Sequence, residues 1–277
     1  MDNRQFDFTD RDFNHLRELV GRHTGISLAD NKKELVYGRI SRRLRALKMN
    51  SFEAYRALLE NGDKAELEEF TNLITTNLTS FFREPHHFNF LKDKILPELQ
   101  KSRRDSKKIR IWSAGCSTGE EPYSIAIALK EAIPNFGPWD IRILATDLDS
   151  NVLAHGKAGV YTEDRLNGIS DSRLKKWFYK GGGAHLGKVK AHEELQEIIT
   201  FQQLNLMGAW PMKEKFDVIF CRNVVIYFDK PTQQKLFGRF ADALAPDGRM
   251  IVGHSETLNK ITNRFELLGK TVYEKAA

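Results

Sequence analysis

Cysteine is scarce. Cys116 and Cys221 are the only two in 277 residues, both in apolar strand-end contexts. No disulfide framework is therefore expected, and a reducing compartment suits the chain. No low-complexity tract argues for disorder, and 41% apolar residues suffice for a core. No stretch approaches the ~18 uncharged apolar residues of a membrane span. The first residues, Met-Asp-Asn-Arg-Gln-Phe-Asp, lack the apolar centre of a signal peptide. A soluble, cytoplasmic protein is expected. Metal-ligand spacing is missing too: adjacent histidines on a helix, as at His86-His87, point about 100° apart. No cysteine or acid spacing supports them, so no metal is expected. A full dinucleotide fingerprint is also lacking, because position 117 is serine and position 120 is glutamate.

What is present is a strand, a glycine turn and a helix over residues 109–132. Ile109, Ile111 and Trp112 form a short apolar run that ends in a turn carrying Gly115 and Gly119. Pro122 then opens an amphipathic helix to Ala132. Together these are half of a nucleotide-binding α/β unit. The glycines allow a sharp turn and the close approach of a ligand. Glu120 and Glu121 would repel a pyrophosphate, so a cationic or neutral nucleoside such as S-adenosylmethionine suits the turn better.

Charge is unevenly placed. Residues 32–48 hold Lys32, Lys33, Arg39, Arg42, Arg43, Arg45 and Lys48 against Glu34, a net +6 that equals the excess of the whole chain. A solvated helix face explains such a run, but interleaved acids are then usual; an acidic partner is the other reading. Few aromatics accompany the segment, which disfavours stacking on single-stranded nucleic acid.

In chain order, residues 1–84 read as helices. Thr9 with Asp12 resembles a capping box before Phe13, Leu16, Leu19 and Val20, and Gly25 ends that helix. The second helix turns Leu35, Val36, Ile40, Leu44 and Leu47 to one face. Ser51 caps a third with Phe52, Tyr55, Leu58 and Leu59; Asp63 with Glu66 opens a fourth bearing Leu67, Phe70, Leu73 and Ile74. Residues 85–108 form a linker helix, opened by Pro85, and a basic connection. Residues 109–277 follow the α/β rhythm, with a second strand over 140–146 ending at Asp147. A carboxylate there commonly takes ribose hydroxyls, or it caps the next helix together with Asp149. Residues 172–203 interrupt the rhythm as a small antiparallel insertion, with strands at 188–190 and 197–201. Residues 216–228 are a buried strand turning polar at Arg222-Asn223, at the same rim as Gly115, Asp147 and Tyr227. Residues 246–248 read as a turn, 249–253 as a strand and 266–273 as the last edge strand.

Five stretches resemble a known family closely: Thr-Thr-Asn-Leu-Thr-Ser-Phe-Phe-Arg (75–83), Ala-Gly-Cys-Ser-Thr-Gly-Glu-Glu-Pro-Tyr-Ser (114–124), Ala-Thr-Asp-Leu-Asp (145–149), Phe-Cys-Arg-Asn-Val-Val-Ile-Tyr-Phe (220–228) and Gly-His-Ser-Glu (253–256). In this order they look like the CheR-type chemotaxis receptor glutamate methyltransferases. The resemblance implies a class I, Rossmann-like methyltransferase with a seven-stranded mixed sheet, preceded by an all-α domain. It implies that Asn77, Thr79 and Arg83 contact S-adenosylmethionine, and that Glu121 takes its amino-acid part and Asp147 its ribose. Asn205 and Leu206 would surround the adenine, Arg222 and Asn223 would form the opposite wall, and Gly115 would line the turn. Arg83 and Tyr227 would lie nearest the transferred methyl, and the product would be S-adenosylhomocysteine. The implied substrate is glutamate on acid-rich chemoreceptor helices, for which Arg39, Arg42, Arg43 and Arg45 would form the docking face. Some members dock a receptor C-terminal peptide on the insertion, a point left open here for residues 181–195. A monomer that inserts in no membrane is expected.

Two other classes fit parts of the sequence. A nucleic-acid methyltransferase is suggested by the basic helix, but amino-methylating enzymes usually carry a Pro-Pro pair where Val224-Val225 follow Asn223. A catalytically silent scaffold would bind no donor.

Overall fold

The computed structural model describes residues 5–276; the amino-terminal stretch read for a leader core begins outside them. The chain divides into two compact units, one running to residue 76 with 227–229 added, the other holding 77–226 and 230 onward. The motif segment 77–84 thus packs with the second unit, not with the helical one.

The first unit comprises α1 (Asp10–Thr24), α2 (Lys33–Leu47), α3 (Phe52–Glu60) and α4 (Lys64–Ile74). Their starts follow local chemistry. Thr9 Oγ1 accepts from Asp12 N at 3.2 Å while Thr9 N donates to Asp12 Oδ2 at 3.0 Å, the expected reciprocal cap. Ser51 and Asp63 cap α3 and α4. Leu16, Val36, Ile40, Leu44, Tyr55 and Phe70 are fully buried at the centre.

The second unit opens with a helical run: α5 (His86–Phe90), a π-helical turn (Leu91–Ile95) and α6 (Leu96–Ser102). Pro97 has no N–H to offer the ladder, and the wider turn lies just before it. Then come β1 (Lys108–Ala114), α7 (Glu120–Ala132), β2 (Asp140–Asp147), α8 (Ser150–Ala158), β3 (Val160–Thr162), α9 (Asp171–Trp177), β4 (Phe178–Lys180), β5 (Lys188–Ala191), α10 (Glu193–Gln196) and β6 (Ile199–Gln203). The chain ends through β7 (Phe216–Cys221), α11 (Lys230–Ala243), β8 (Leu244–Val252), β9 (Phe265–Gly269) and β10 (Val272–Lys275). Seven strands form one sheet in the order β6-β2-β1-β7-β8-β10-β9. The first five run parallel; β10 is antiparallel to both β8 and β9. Every residue of β7 is buried, as befits a parallel strand covered on both faces. The chain crosses from one side of β1 to the other between β6 and β7, so the switch point lies between β1 and β7.

The small antiparallel sheet exists, in the order β3-β5-β4, but its extent corrects the expectation for residues 172–203. It begins at Val160, and residues 199–203 form β6, parallel to β2 in the main sheet. A short apolar run carries no mark of which strand it will pair with. Residues 246–248 are no turn either. They lie within β8, where the pairing with β7 skips between Phe216 and Val218. The last edge strand is a hairpin of β9 and β10. No helix among the described residues is long and apolar enough to cross a membrane.

Candidate active site

The parallel strands bring the ends of β1, β2, β6 and β7 to one rim. Gly115 and Cys116 both donate from their backbone N–H to the Thr146 carbonyl, at 2.8 and 2.9 Å, which folds the β1 turn against the end of β2. Gly115 (φ +85°) and Gly119 (φ +96°) occupy the left-handed region, so a side chain at either is strained. At both positions a Cβ would also meet protein atoms, Val224 Cγ2 at Gly115 and Gly156 Cα, 2.9 Å away, at Gly119. These glycines serve close packing first.

The two acids after the turn part company. Glu120 turns to Arg165 at 3.0 Å and accepts from Thr118 Oγ1 at 2.6 Å. Glu121 accepts from Ser113 Oγ at 2.7 Å and from Arg222 Nη1 at 2.9 Å, and both partners are buried. Arg222 Nη2 also donates to the Arg83 carbonyl and lies 3.4 Å from Glu84 Oε2. Its buried Nε has no hydrogen-bond acceptor among the described residues.

Asp147 Oδ2 accepts from Ser117 N at 2.8 Å and Oδ1 from Asp149 N at 3.1 Å. Burial raises its pKa, against the pull of those backbone donors. Asp149 caps α8 and takes Asn77 Nδ2 at 2.7 Å, while the Asn77 carbonyl accepts from Ser117 Oγ at 3.0 Å. The helix cap is therefore Asp149, not Asp147. Leu204 N donates to the Asp147 carbonyl at 2.9 Å, which holds Asn205 and buried Leu206 just beyond the end of β6.

The CheR methyltransferase SAM binding domain matches residues 77–274, and the CheR methyltransferase all-alpha domain matches residues 11–75. The chain belongs to the CheR methyltransferase family. It is 46% identical over 99% of its length to chemotaxis protein methyltransferase 2 of Pseudomonas aeruginosa, covering 96% of that protein. It is 42% identical over 96% of its length to the chemotaxis protein methyltransferase of Escherichia coli K12, covering 91% of that chain. Like the CheR family, it is an S-adenosylmethionine-dependent methyltransferase of chemotaxis.

The rim of this CheR chain fits that donor. Asp147 and Glu121 offer carboxylates to hydroxyls and an ammonium, and the unmatched Arg222 Nε suits a carboxylate. Within the second unit Glu121 and Arg222 touch directly; Asn77 and Asp147 share Ser117 and Asp149 as partners, Gly115 is tied to Thr146, and Asn223 to Glu256. Arg83 is half-buried, with Nη1 on the Leu78 carbonyl at 2.9 Å; Thr79 is half-buried on the same segment. Tyr227 packs with the first unit, its carbonyl accepting from Ser27 N at 2.8 Å.

Sequence reasoning missed two residues. Glu256 accepts from five backbone N–H groups, those of Asn223, Val224, Val225, Ile226 and Gly253, at 2.6–3.4 Å. Burial raises its pKa while the amides pull it down. It holds the turn after β7, where Asn223 sits at φ +58°. The available signal was its place in Gly-His-Ser-Glu. Glu84 is the other: His86 and His87 do gather round an acid, with one donor atom from each of the three within 4.8 Å. Arg222 already supplies positive charge there.

The basic face of α2 is partly committed inside the first unit. Arg39 Nη1 donates to the carbonyls of Leu73, Ile74 and Thr75, closing the end of α4. Arg43 grips buried Glu66, which also accepts from Tyr55 at 2.7 Å. Arg42 and Arg45 are exposed and, among the described residues, reach back along α2 to the Gly38 and Ser41 carbonyls. Arg43→Ala is expected to cost roughly 2–4 kcal/mol in urea unfolding, since it strands a buried carboxylate. Arg42→Ala and Arg45→Ala should stay within about 0.5 kcal/mol.

Proposed function

We propose that Glu121 and Arg222 hold the amino-acid end of S-adenosylmethionine, that Asp147 holds its ribose, and that Asn77, Thr79, Gly115, Asn205, Leu206 and Asn223 line the remainder. The observation that carries this is the buried Glu121–Arg222 pair, which joins the turn after β1 to the end of β7 at the switch point. Bound there, the donor supplies an electrophilic methyl on a sulfonium. The acceptor glutamate has an ordinary pKa near ~4.3, so it arrives ionised and needs no general base. The residues then have to place and desolvate it. Arg83 acts as its guide, a cationic donor for a carboxylate. A strongly charged pocket would hold the separated charges back, so one guiding cation suffices.

Exposed Arg42 and Arg45 serve as the docking pair for the acidic receptor helix, ahead of Arg39 and Arg43. The insertion presents Tyr179 (51% exposed) and Leu186 (75% exposed) to a receptor peptide. The protein works as a cytoplasmic monomer.

Incubation with labelled donor and purified receptor domain tests the reaction. The label should enter the receptor and leave as methanol in mild alkali; an alkali-stable label on a base would sink the reading. Arg83→Ala should lose most turnover, by about 100-fold or more, while calorimetry still detects the donor. Full methyl transfer by that variant would refute the role.

A further inference from the structure

Arg222 faces more negative charge than it can neutralise. Its Nη1 serves Glu121 at 2.9 Å, and its Nη2 lies 3.4 Å from Glu84. Both carboxylate side chains are only 10% exposed, and the guanidinium is 2% exposed. Glu84 is itself held in place from two sides. Its Oε1 meets His254 Nδ1 at 2.7 Å, and its Oε2 accepts from His254 N at 3.0 Å. His87 approaches with Nδ1 at 3.4 Å from Glu84 Oε2.

The charge count around Glu84 follows from these contacts. His87 is neutral, because burial, then the charges of Arg222 and His86, push it down to about 3. Its Nε2 lies 2.9 Å from the Lys270 carbonyl and therefore carries the proton, leaving a lone pair at Nδ1. Glu84 stays ionised: burial pushes it up, but the His254 hydrogen bond and the Arg222 charge outweigh that and hold it at about 2. One buried cation thus stands between two buried anions.

We propose that Glu84 is a positioning residue that keeps Arg222 shared, so that this wall carries one uncompensated negative charge and discriminates the charged methyl donor from its spent product. The two ligands share the same adenosine and amino-acid groups and differ in charge only at sulfur, where the donor is a sulfonium and the product a neutral thioether. A surplus negative charge in a poorly screened wall therefore favours the donor alone. Arg83 opposes that preference equally in the wild type and in the Glu84 variants, so it leaves their comparison unchanged. This rests on Glu121 and Arg222 being the cofactor's wall.

The test is calorimetry of S-adenosylmethionine and S-adenosylhomocysteine without acceptor, on the full chain. In Glu84→Gln the ratio of donor Kd to product Kd should rise by ~3–10-fold, the size of one lost charge in a partly screened site. Glu84→Asp should restore most of the wild-type ratio. His254→Lys, at an exposed position, puts a fixed cation on Glu84 and should move the ratio the same way. Equal changes in both Kd values, the mark of a merely structural loss, would overturn the proposal. So would an unmoved ratio in His254→Lys, which keeps the idea exposed even where Glu84→Gln fails to fold. If the wild type binds neither ligand, the cofactor wall itself is wrong and this inference falls with it. If it binds both and the ratio never moves, only the role of Glu84 fails.

Discussion

Arg222→Ala abolishes donor binding and destabilises the second unit, by about 3–5 kcal/mol in urea unfolding at neutral pH. Breaking a buried ion pair costs that much because the partner charge stays behind, unpaired. Here two stay behind: Glu121, tied otherwise only to Ser113 Oγ among the described residues, and Glu84. The variant also loses the donor to the Arg83 carbonyl, and with it a tie between the 77–84 segment and β7. Arg222→Lys rescues little, since an ammonium lacks the planar fork that reaches Glu121 and the Arg83 carbonyl together. Calorimetry with S-adenosylmethionine and an unfolding curve for each variant decide the matter. Near-normal donor affinity in Arg222→Ala would remove the pair from the site.

Glu256→Ala should cost a similar 3–5 kcal/mol and open the turn after β7. Five amide donors lose one shared acceptor in a site that is 4% exposed, and each buried donor left unmet costs about 1–3 kcal/mol before relaxation or water reduces the sum. Glu256→Gln fares little better, because its amide nitrogen would face backbone N–H groups. Hydrogen exchange reads this directly: the amides of residues 223–226 should lose protection, while those of β1 and β2 keep it. Unchanged exchange at 223–226 would refute the anchoring role. Donor affinity should fall with the turn, since Asn223 and Arg222 stand on it.

The helical starts were legible because their causes are local. Thr9 with Asp12, Ser51 and Asp63 satisfy amides two or three residues away, and those spacings are visible in the chain itself. Asp147 was legible for a related reason: it ends a buried apolar run, and strand ends in parallel sheets converge on one rim. The basic run at 32–48 was visible as charge, yet its partners were not. Arg43 meets Glu66 from 23 residues away, and Arg39 meets carbonyls 34–36 residues away.

The amino-acid order by itself determined where strands, caps and apolar faces begin, because those signals act within a turn or two of the chain. Tertiary structure alone decided which charges meet. Arg222 finds Glu121 across 101 residues of sequence and Arg83 across 139, and residues 199–203 join β2 instead of the small sheet. Charge and hydrogen-bonding capacity are properties of a side chain, whereas pairing depends on which distant segment folding brings within about 3 Å.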